Sequence, residues 1–221
     1  MSYLEASDVS YAYRNRYQTV RAVNNVSFTF ETGKFYAIIG KSGSGKTTLL
    51  SLLAGLDLPT EGEVRYGGTP TGALNTDEFR RDHVAVIYQN YNLFLQMTIL
   101  ENVMVPLLLK KVKKEEARAK AREKLLAVGL REDMFGRYPN MLSGGEQQRV
   151  AIARSLVGGH SVILADEPTG NLDTENGTAI IDTLARLAHE QGLLVIVVTH
   201  DPEVSARADV VLHMRDGRLS E

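Results

Sequence analysis

Residues 40–47 read Gly-Lys-Ser-Gly-Ser-Gly-Lys-Thr, followed by Thr48. They fit G-x-x-x-x-G-K-[ST], the pattern of a phosphate-binding loop, with Gly40, Gly45, Lys46 and Thr47 in the fixed places. Glycines let consecutive backbone N–H groups curl around an anion at the positive end of a helix. Lys46 can reach β- and γ-phosphates, and the Thr47 hydroxyl can hold Mg²⁺. The flanks suit this use: residues 35–39, Phe-Tyr-Ala-Ile-Ile, have the aromatic and β-branched character of a buried strand, and Thr48 opens a helical stretch. A glycine-rich turn that binds nothing is the competing reading. Average residue usage produces the pattern by chance in roughly one chain of this size in a hundred, and the strand and helix reduce that further.

Four more places carry side chains suited to the same chemistry. Asp166 and Glu167 end an apolar run at 161–165. A carboxylate at the carboxyl end of a parallel strand is where a phosphate-bound Mg²⁺ is ligated, and the carboxylate beside it is suited to polarise a water. A second apolar run at 193–199 delivers His200 to the same sheet edge. Ser143-Gly144-Gly145-Glu146 has the S-x-x-E form of a capping box at the start of a helix reaching Val157. A cap alone has no use for two glycines, which cost helix stability, so something is expected to approach the backbone there. Tyr13 offers a flat face for a nucleotide base, although a strand tyrosine is more often core or interface.

These residues need a sheet to hold them. Strands are expected at residues 4–10, 26–31, 35–39, 64–66, 83–88, 161–165, 193–199 and 210–214, with a surface loop at 14–18 and a hairpin signal at Glu31-Thr32-Gly33. Strand 83–88 ends in Gln89-Asn90. An apolar helix is expected at 98–109, and an amphipathic one at 113–128 with Ala117, Ala121, Leu125 and Val128 on one face. The basic run at 110–114 is interleaved with Glu115, Glu116 and Glu123, which reads as a solvated face. Asn171-Leu172-Asp173 forms a turn into a helix at 174–189. His83, His160, His189 and His213 have no comparable placement and read as structural or surface groups.

With 221 residues the chain is one large domain, or a domain with a subdomain. A net charge of −2 gives no electrostatic footprint for nucleic acid. The absence of cysteine excludes disulfide and thiol chemistry and fits a reducing compartment. No secretory signal and no run long enough to span a membrane is apparent, since residues 193–198 are only strand length. A soluble, cytoplasmic protein is expected, one that would need a separate spanning partner to act at a membrane.

The order of phosphate loop, Gln89, LSGGEQQ, VILADE, NLD and TH resembles the ATP-binding subunit of ABC transporters over essentially the whole chain. Residues 96–109 together with LSGGEQQRVAIAR and DEPTGNLD resemble the MacB/LolD branch, which includes macrolide and peptide exporters, lipoprotein-release ATPases, haem exporters and the division ATPase FtsE. The resemblance implies an α/β fold: a P-loop NTPase core with a mostly parallel sheet, N-terminal antiparallel strands and an inserted helical subdomain. Its segments would be residues 1–89 (first part of the core), 90–157 (helical subdomain with the signature) and 158–221 (second part of the core). Tyr13 would stack on adenine. Gly40, Ser42, Gly43, Ser44, Gly45, Lys46, Thr47 and Thr48 would wrap the phosphates of ATP. Thr47 and Asp166 would hold Mg²⁺, with Gln89 sensing the metal and the attacking water. Glu167 would be the general base, and His200 would contact the γ-phosphate.

The same resemblance implies that Ser143, Gly144 and Gly145 bind the γ-phosphate of ATP held by a second copy, with Asp173 in the loop crossing between copies. Physics supports a shared site, because a phosphate loop leaves the outer face of the γ-phosphate open and a second helix N-terminus can cover it. A membrane-spanning permease would dock around residues 90–105, with the chain peripheral on the inner face of the membrane. Glu146 departs from the commoner Gln and is expected to cap its own helix; Lys41 is expected to face solvent. An SMC/Rad50-type ATPase would carry long heptad insertions that are absent here, and a GTPase would carry an N-K-x-D motif. An FtsE-like regulatory ATPase remains the alternative to transport.

Overall fold

The computed structural model describes residues 3–14 and 16–221; Asn15, inside the loop expected at 14–18, lies outside them. Two sheets organise the chain. The first is antiparallel in the order β2 (Thr19–Glu31), β1 (Tyr3–Arg14), β4 (Glu61–Tyr66), β5 (Thr69–Pro70). The second runs β10 (Arg218–Ser220), β9 (Val210–Arg215), β3 (Phe35–Ile39), β8 (Leu194–Thr199), β7 (Val162–Asp166), β6 (Val84–Ile87). Only its β10–β9 edge pair is antiparallel. The fold is the α/β arrangement expected, with one correction. Residues 31–33 do form a turn, but β2 and β3 do not pair: the turn carries the chain from the first sheet to the second.

The second sheet is buried on both faces, which is why its strands read as unbroken apolar runs. Side-chain alternation divides each strand between two cores. On one face Phe35, Ala37, Ile163, Ala165, Val195 and Val197 meet α3 (Ile99–Leu109), α4 (Lys114–Ala127), α5 (Gly144–Val157) and α6 (Thr174–Gln191). On the other, Tyr36, Ile38, Val162, Leu164, Ile196 and Val198 meet α1 (Lys46–Leu53) and the antiparallel sheet. Two short helices were not expected, α2 (Thr76–Asp82) and α7 (Pro202–Arg207). Each lacks the length over which an apolar period can be read, and each starts from a side-chain cap, Asn75 and Asp201.

Helices α3, α4 and α5 pack on one another. Their entry is fixed by Asn102, an amide in an otherwise apolar helix that is wholly buried. Its Oδ1 accepts from Phe94 N at 2.7 Å, and its Nδ2 lies within 3.0–3.1 Å of the carbonyls of Phe94, Met97 and Thr98. One side chain thus fastens the loop that precedes α3. No helix among the described residues is long and apolar enough to cross a membrane.

Candidate active site

Parallel pairing brings the chemistry to one edge. Ile39 lies opposite Thr199, Asp166 opposite Val198 and Ile87 opposite Ala165, so the residues following β3, β6, β7 and β8 leave the sheet side by side. A cleft of about 970 Å³ opens there, at the carboxyl ends of the strands where ligands of open α/β sheets sit. It gathers Tyr13, Ser42, Gly43, Gly45, Lys46, Thr47, Thr48, Gln89, Asp166, Glu167 and His200. Gly40 and Ser44 do not line it. Ser143, Gly144, Gly145 and Asp173 are outside it. Val20, Arg21, Ala22, Asp216 and Gly217 also line it, and nothing in their residue types signalled this.

The loop at 40–45 is held by its own chain. A Cβ on Gly40 would lie 2.2 Å from the Met214 carbonyl oxygen, and one on Gly45, at φ +104°, would lie 2.1 Å from the Ala22 carbonyl oxygen. These glycines are required by β9 and β2 whether or not a phosphate is bound. Gly43, at φ +77° with open space around it, is required by conformation alone. The turn at Asp216-Gly217 closes the back of the loop: Gly217 N donates to Ser44 O at 3.0 Å, and Asn24 N to Gly217 O at 2.8 Å. Lys46 folds over the loop, donating from Nζ to the carbonyls of Gly40 (2.7 Å) and Lys41 (3.1 Å). Lys41 itself is exposed and also lines the cleft.

Gly45 begins α1 with no side-chain cap, so the first amides of that helix are left for an anion. Beyond them Thr47 Oγ1 donates to Asp166 Oδ1 at 3.3 Å. Burial pushes the Asp166 carboxyl above its ordinary range, aided by the neighbouring Glu167 charge, while Thr47 and Lys46 oppose the rise. A desolvated carboxylate beside a hydroxyl is a hard-oxygen pair that a divalent cation would stabilise. Among the described residues no three His, Cys, Asp or Glu side chains converge into a complete cage. That donor set fits Mg²⁺, which keeps waters and takes its remaining oxygens from phosphates.

Glu167 adopts φ +46°, a left-handed conformation uncommon for a side-chain-bearing residue, and its N–H bonds Val198 O at 2.9 Å. Its carboxylate is held at both oxygens. Thr199 Oγ1 donates to Oε2 at 2.8 Å, and His200 Nδ1 lies 2.7 Å from Oε1. The His200 side chain is 74% exposed, whereas Thr199 is wholly buried. Tyr13 presents a half-exposed ring to the cleft, edge-on to Tyr11 at 5.0 Å, with its hydroxyl 3.2 Å from Thr48 Oγ1. The Gln89 carbonyl accepts from Asn171 Nδ2 at 3.0 Å, tying strand β6 to the turn after Glu167.

The signature segment is closed on itself. Glu146 N donates to Ser143 Oγ at 3.3 Å and Ser143 N to Glu146 Oε2 at 2.8 Å, so Glu146 caps its helix. Side chains of the same chain already lie close to the two glycines. A Cβ on Gly144 would lie 3.1 Å from the Tyr91 hydroxyl, and one on Gly145 3.0 Å from the Asn176 amide. Asn176 in turn accepts from Arg149 at 2.8 Å and donates to Asp173 through Nδ2. Bonds from Asn176 hold the Asp173 carboxyl below its ordinary range.

Three of the four histidines read as bystanders have partners, and His213 is exposed on β9. His160 sits between the carbonyls of Ser155 and Arg81, His189 pairs with Asp209, and His83 lies beside Tyr66.

A mostly parallel sheet with a glycine loop, an uncapped helix and a carboxylate pair at one edge defines a P-loop nucleotide-binding protein. Comparison with known proteins narrows the class. The profile of the ABC transporter family matches residues 23–170. The chain is similar to MJ0796, a bacterial ABC transporter cassette solved as a dimer, with 39% identity, TM-score 0.92, and coverage of 99% of this chain and 97% of that one. A post-hydrolysis dimer of MJ0796 bound to ADP and Pi matches at 38% identity, TM-score 0.92 and the same coverage. CbiO1 from Clostridium perfringens, part of the ABC transporter complex CbiONQ, matches at 26% identity, TM-score 0.87, and coverage of 99% and 86%. The chain belongs to the ABC transporter family and is an ATPase of its ATP-binding cassette type.

Proposed function

We propose that the chain hydrolyses ATP as one half of a head-to-tail dimer and drives a separate membrane-spanning permease, in the manner of the MacB/LolD branch, toward export or extraction from the membrane. The observation that carries the reading is the convergence in one cleft of the uncapped phosphate loop, the Thr47–Asp166 pair and the doubly held Glu167. Tyr13 is the adenine platform. Backbone amides of residues 42–48 and the Lys46 ammonium bind the phosphates, Lys46 exchanging its carbonyl partners for phosphate oxygens. Thr47, Asp166 and Gln89 would hold Mg²⁺, which would neutralise charge on the β- and γ-phosphates.

Glu167 accepts a proton from the water that attacks the γ-phosphorus. The bond from that phosphorus to the bridging oxygen breaks, and ADP leaves with the charge. His200, turned outward, orients the γ-phosphate. Ser143, Gly144 and Gly145 of a second copy cover its open face, and Asp173 lies at the crossing, so neither copy holds a complete site. Dimers of MJ0796 support this arrangement. We assign residues 1–89 and 158–221 to the core and 90–157 to the helical unit.

The permease would meet residues 90–105, where Phe94, Leu95 and Met97 are exposed and Tyr138 and Met141 extend the apolar surface. Docking there makes the chain a peripheral protein on the cytoplasmic face of the membrane. Its partners in this reading are ATP, Mg²⁺, a second copy and the permease, with no nucleic acid.

The test is hydrolysis of Mg-ATP by the purified chain, together with the mass of Glu167→Gln under saturating ATP. The expected result is turnover by the parent and a stable dimer of the variant. A variant that stays monomeric with ATP bound would overturn the shared site.

A further inference from the structure

We propose that the Thr199 hydroxyl is the positioning residue that aims the Glu167 carboxylate during ATP hydrolysis, an inference that rests on Glu167 being the base. Two groups hold that carboxylate, and they differ in permanence. His200 is mostly exposed and faces the cleft, so a bound γ-phosphate competes for it. Once His200 turns to the phosphate, Glu167 loses that contact. Thr199 has nowhere to turn, being wholly buried at the end of β8.

The Thr199 hydroxyl is used in both senses. It accepts from Asp201 N at 3.0 Å, which fixes its lone pair, and the remaining O–H is then aimed at Glu167 Oε2 at 2.8 Å. Asp201 is anchored in its turn: Oδ1 caps α7 by accepting from Glu203 N at 2.9 Å, and Oδ2 accepts from Thr169 Oγ1 at 3.0 Å. The base is therefore tied through one buried hydroxyl to the start of a helix and to the turn that follows Glu167 itself. One oxygen of Glu167 is held this way; Oε1, freed by His200, is left to take the proton from water. A bond aimed at one carboxylate oxygen fixes the rotation that decides which oxygen meets the water.

A plainer role exists. A threonine accepting from the amide two residues on is a common turn device, and its loss would merely weaken the turn. The two roles part in kinetics. Steady-state ATPase would be measured on the full chain at one fixed concentration, over a range of Mg-ATP, for the parent, Thr199→Val, Thr199→Ala, Thr199→Ser and Glu167→Ala. A Thr199→Val/Glu167→Ala double variant, followed under single-turnover conditions, completes a cycle.

Positioning predicts that Thr199→Val and Thr199→Ala lose kcat by roughly tenfold to a hundredfold, the scale of a misplaced reacting group, with KM and ADP binding held within about twofold. Thr199→Ser recovers most of the loss, and in the Glu167→Ala background the valine costs no more than about twofold further. Parental kcat in Thr199→Val overturns the proposal. So does an equal loss with and without Glu167, or a loss that tracks melting temperature and KM with no rescue by serine. If Glu167→Ala itself turns over like the parent, the base assignment fails first and Thr199 falls with it.

Discussion

Alanine at Gly45, Gly43 and Gly40 separates what the phosphate loop needs for a ligand from what it needs to fold. If the glycines served only to let phosphate approach, all three substitutions would leave the nucleotide-free chain as stable as the parent and would damage binding alone. The geometry says otherwise. At Gly43 a Cβ meets nothing within 4 Å, and only its φ of +77° is unfavourable, costing about 1–2 kcal/mol. At Gly45 the φ of +104° adds to a Cβ that would sit 2.1 Å from a β2 carbonyl, and a backbone carbonyl cannot swing away as a side chain does. Strain of about 1–3 kcal/mol and overpacking of similar size give roughly 2–6 kcal/mol together. Gly40 isolates the collision, since its Cβ would be 2.2 Å from the Met214 carbonyl without a positive φ.

Urea and thermal unfolding without nucleotide, read beside ADP binding, is the assay. For a chain of this length about 1 kcal/mol moves the melting temperature by about 2–4 °C, so Gly45→Ala should fall by about 4–24 °C and Gly43→Ala by about 2–8 °C. Gly40→Ala should lie between them. Equal stability of Gly45→Ala and Gly43→Ala, within about 0.5 kcal/mol, would refute the claim that the loop is wedged between β2 and β9.

Other substitutions probe the surrounding structure. Asn102→Leu keeps the branched outline of the side chain but is bulkier and strips the polar contacts of Oδ1 and Nδ2 from the loop before α3; it should cost about 2–4 kcal/mol in urea unfolding and raise amide exchange at Phe94. His160 is held below its ordinary pKa, burial outweighing its two carbonyl partners. The folded chain therefore binds fewer protons there than the unfolded one, so this contribution is full above about pH 6.5 and is lost as pH falls below it. Melting temperatures of the parent and His160→Gln should converge on acidification; a difference that widened would reverse the sign. Gly145→Ala presses on the Asn176 amide, so pairing it with Asn176→Ala in a double-mutant cycle should recover about 0.5 kcal/mol or more, and strict additivity would deny the contact.

The sequence made the strands and the loop visible because their causes are local. A strand buried on both faces must be apolar almost throughout, as residues 35–39 and 193–198 are, and a glycine loop between strand and helix has few other uses. What escaped notice depends on distant partners. Thr199 reads as one more β-branched residue at a strand end; only the fold brings Glu167, 32 positions away, within reach of its hydroxyl. Asn102 looks like a polar interruption in an apolar helix, and the carbonyls that need it lie in a loop of no recognisable pattern. Arg21 and Ala22 enter the cleft because β2 crosses behind the loop, which no spacing in β2 reveals. The turn at 31–33 was legible as a turn, but the sheet each strand joins is settled by burial of β3 on both faces, a property of the whole core.

The two helix N-termini named as phosphate sites are prepared in opposite ways, and the difference bears on how a shared site can assemble. Helix α1 begins at a glycine without a cap and has no acidic residue in its first turn, so its amides stand open to an anion. Helix α5 is already capped by Ser143 and Glu146, and Glu146 places a carboxylate in that first turn. Tight anion binding by α5 alone is therefore disfavoured, by occupancy of an amide and by charge. The cap uses Ser143 as an acceptor only, which leaves its O–H free to donate outward, and an N-terminal amide not used in the cap can do the same. Such an end can complete a phosphate site that another loop has largely built, and cannot build one itself. A nucleotide would thus bind first at residues 40–48 and meet the second copy afterwards, so ATP should still bind the dilute single chain, and the half-saturating ATP concentration should fall as the chain is concentrated enough to dimerise; a value independent of chain concentration would deny that the second copy completes the site.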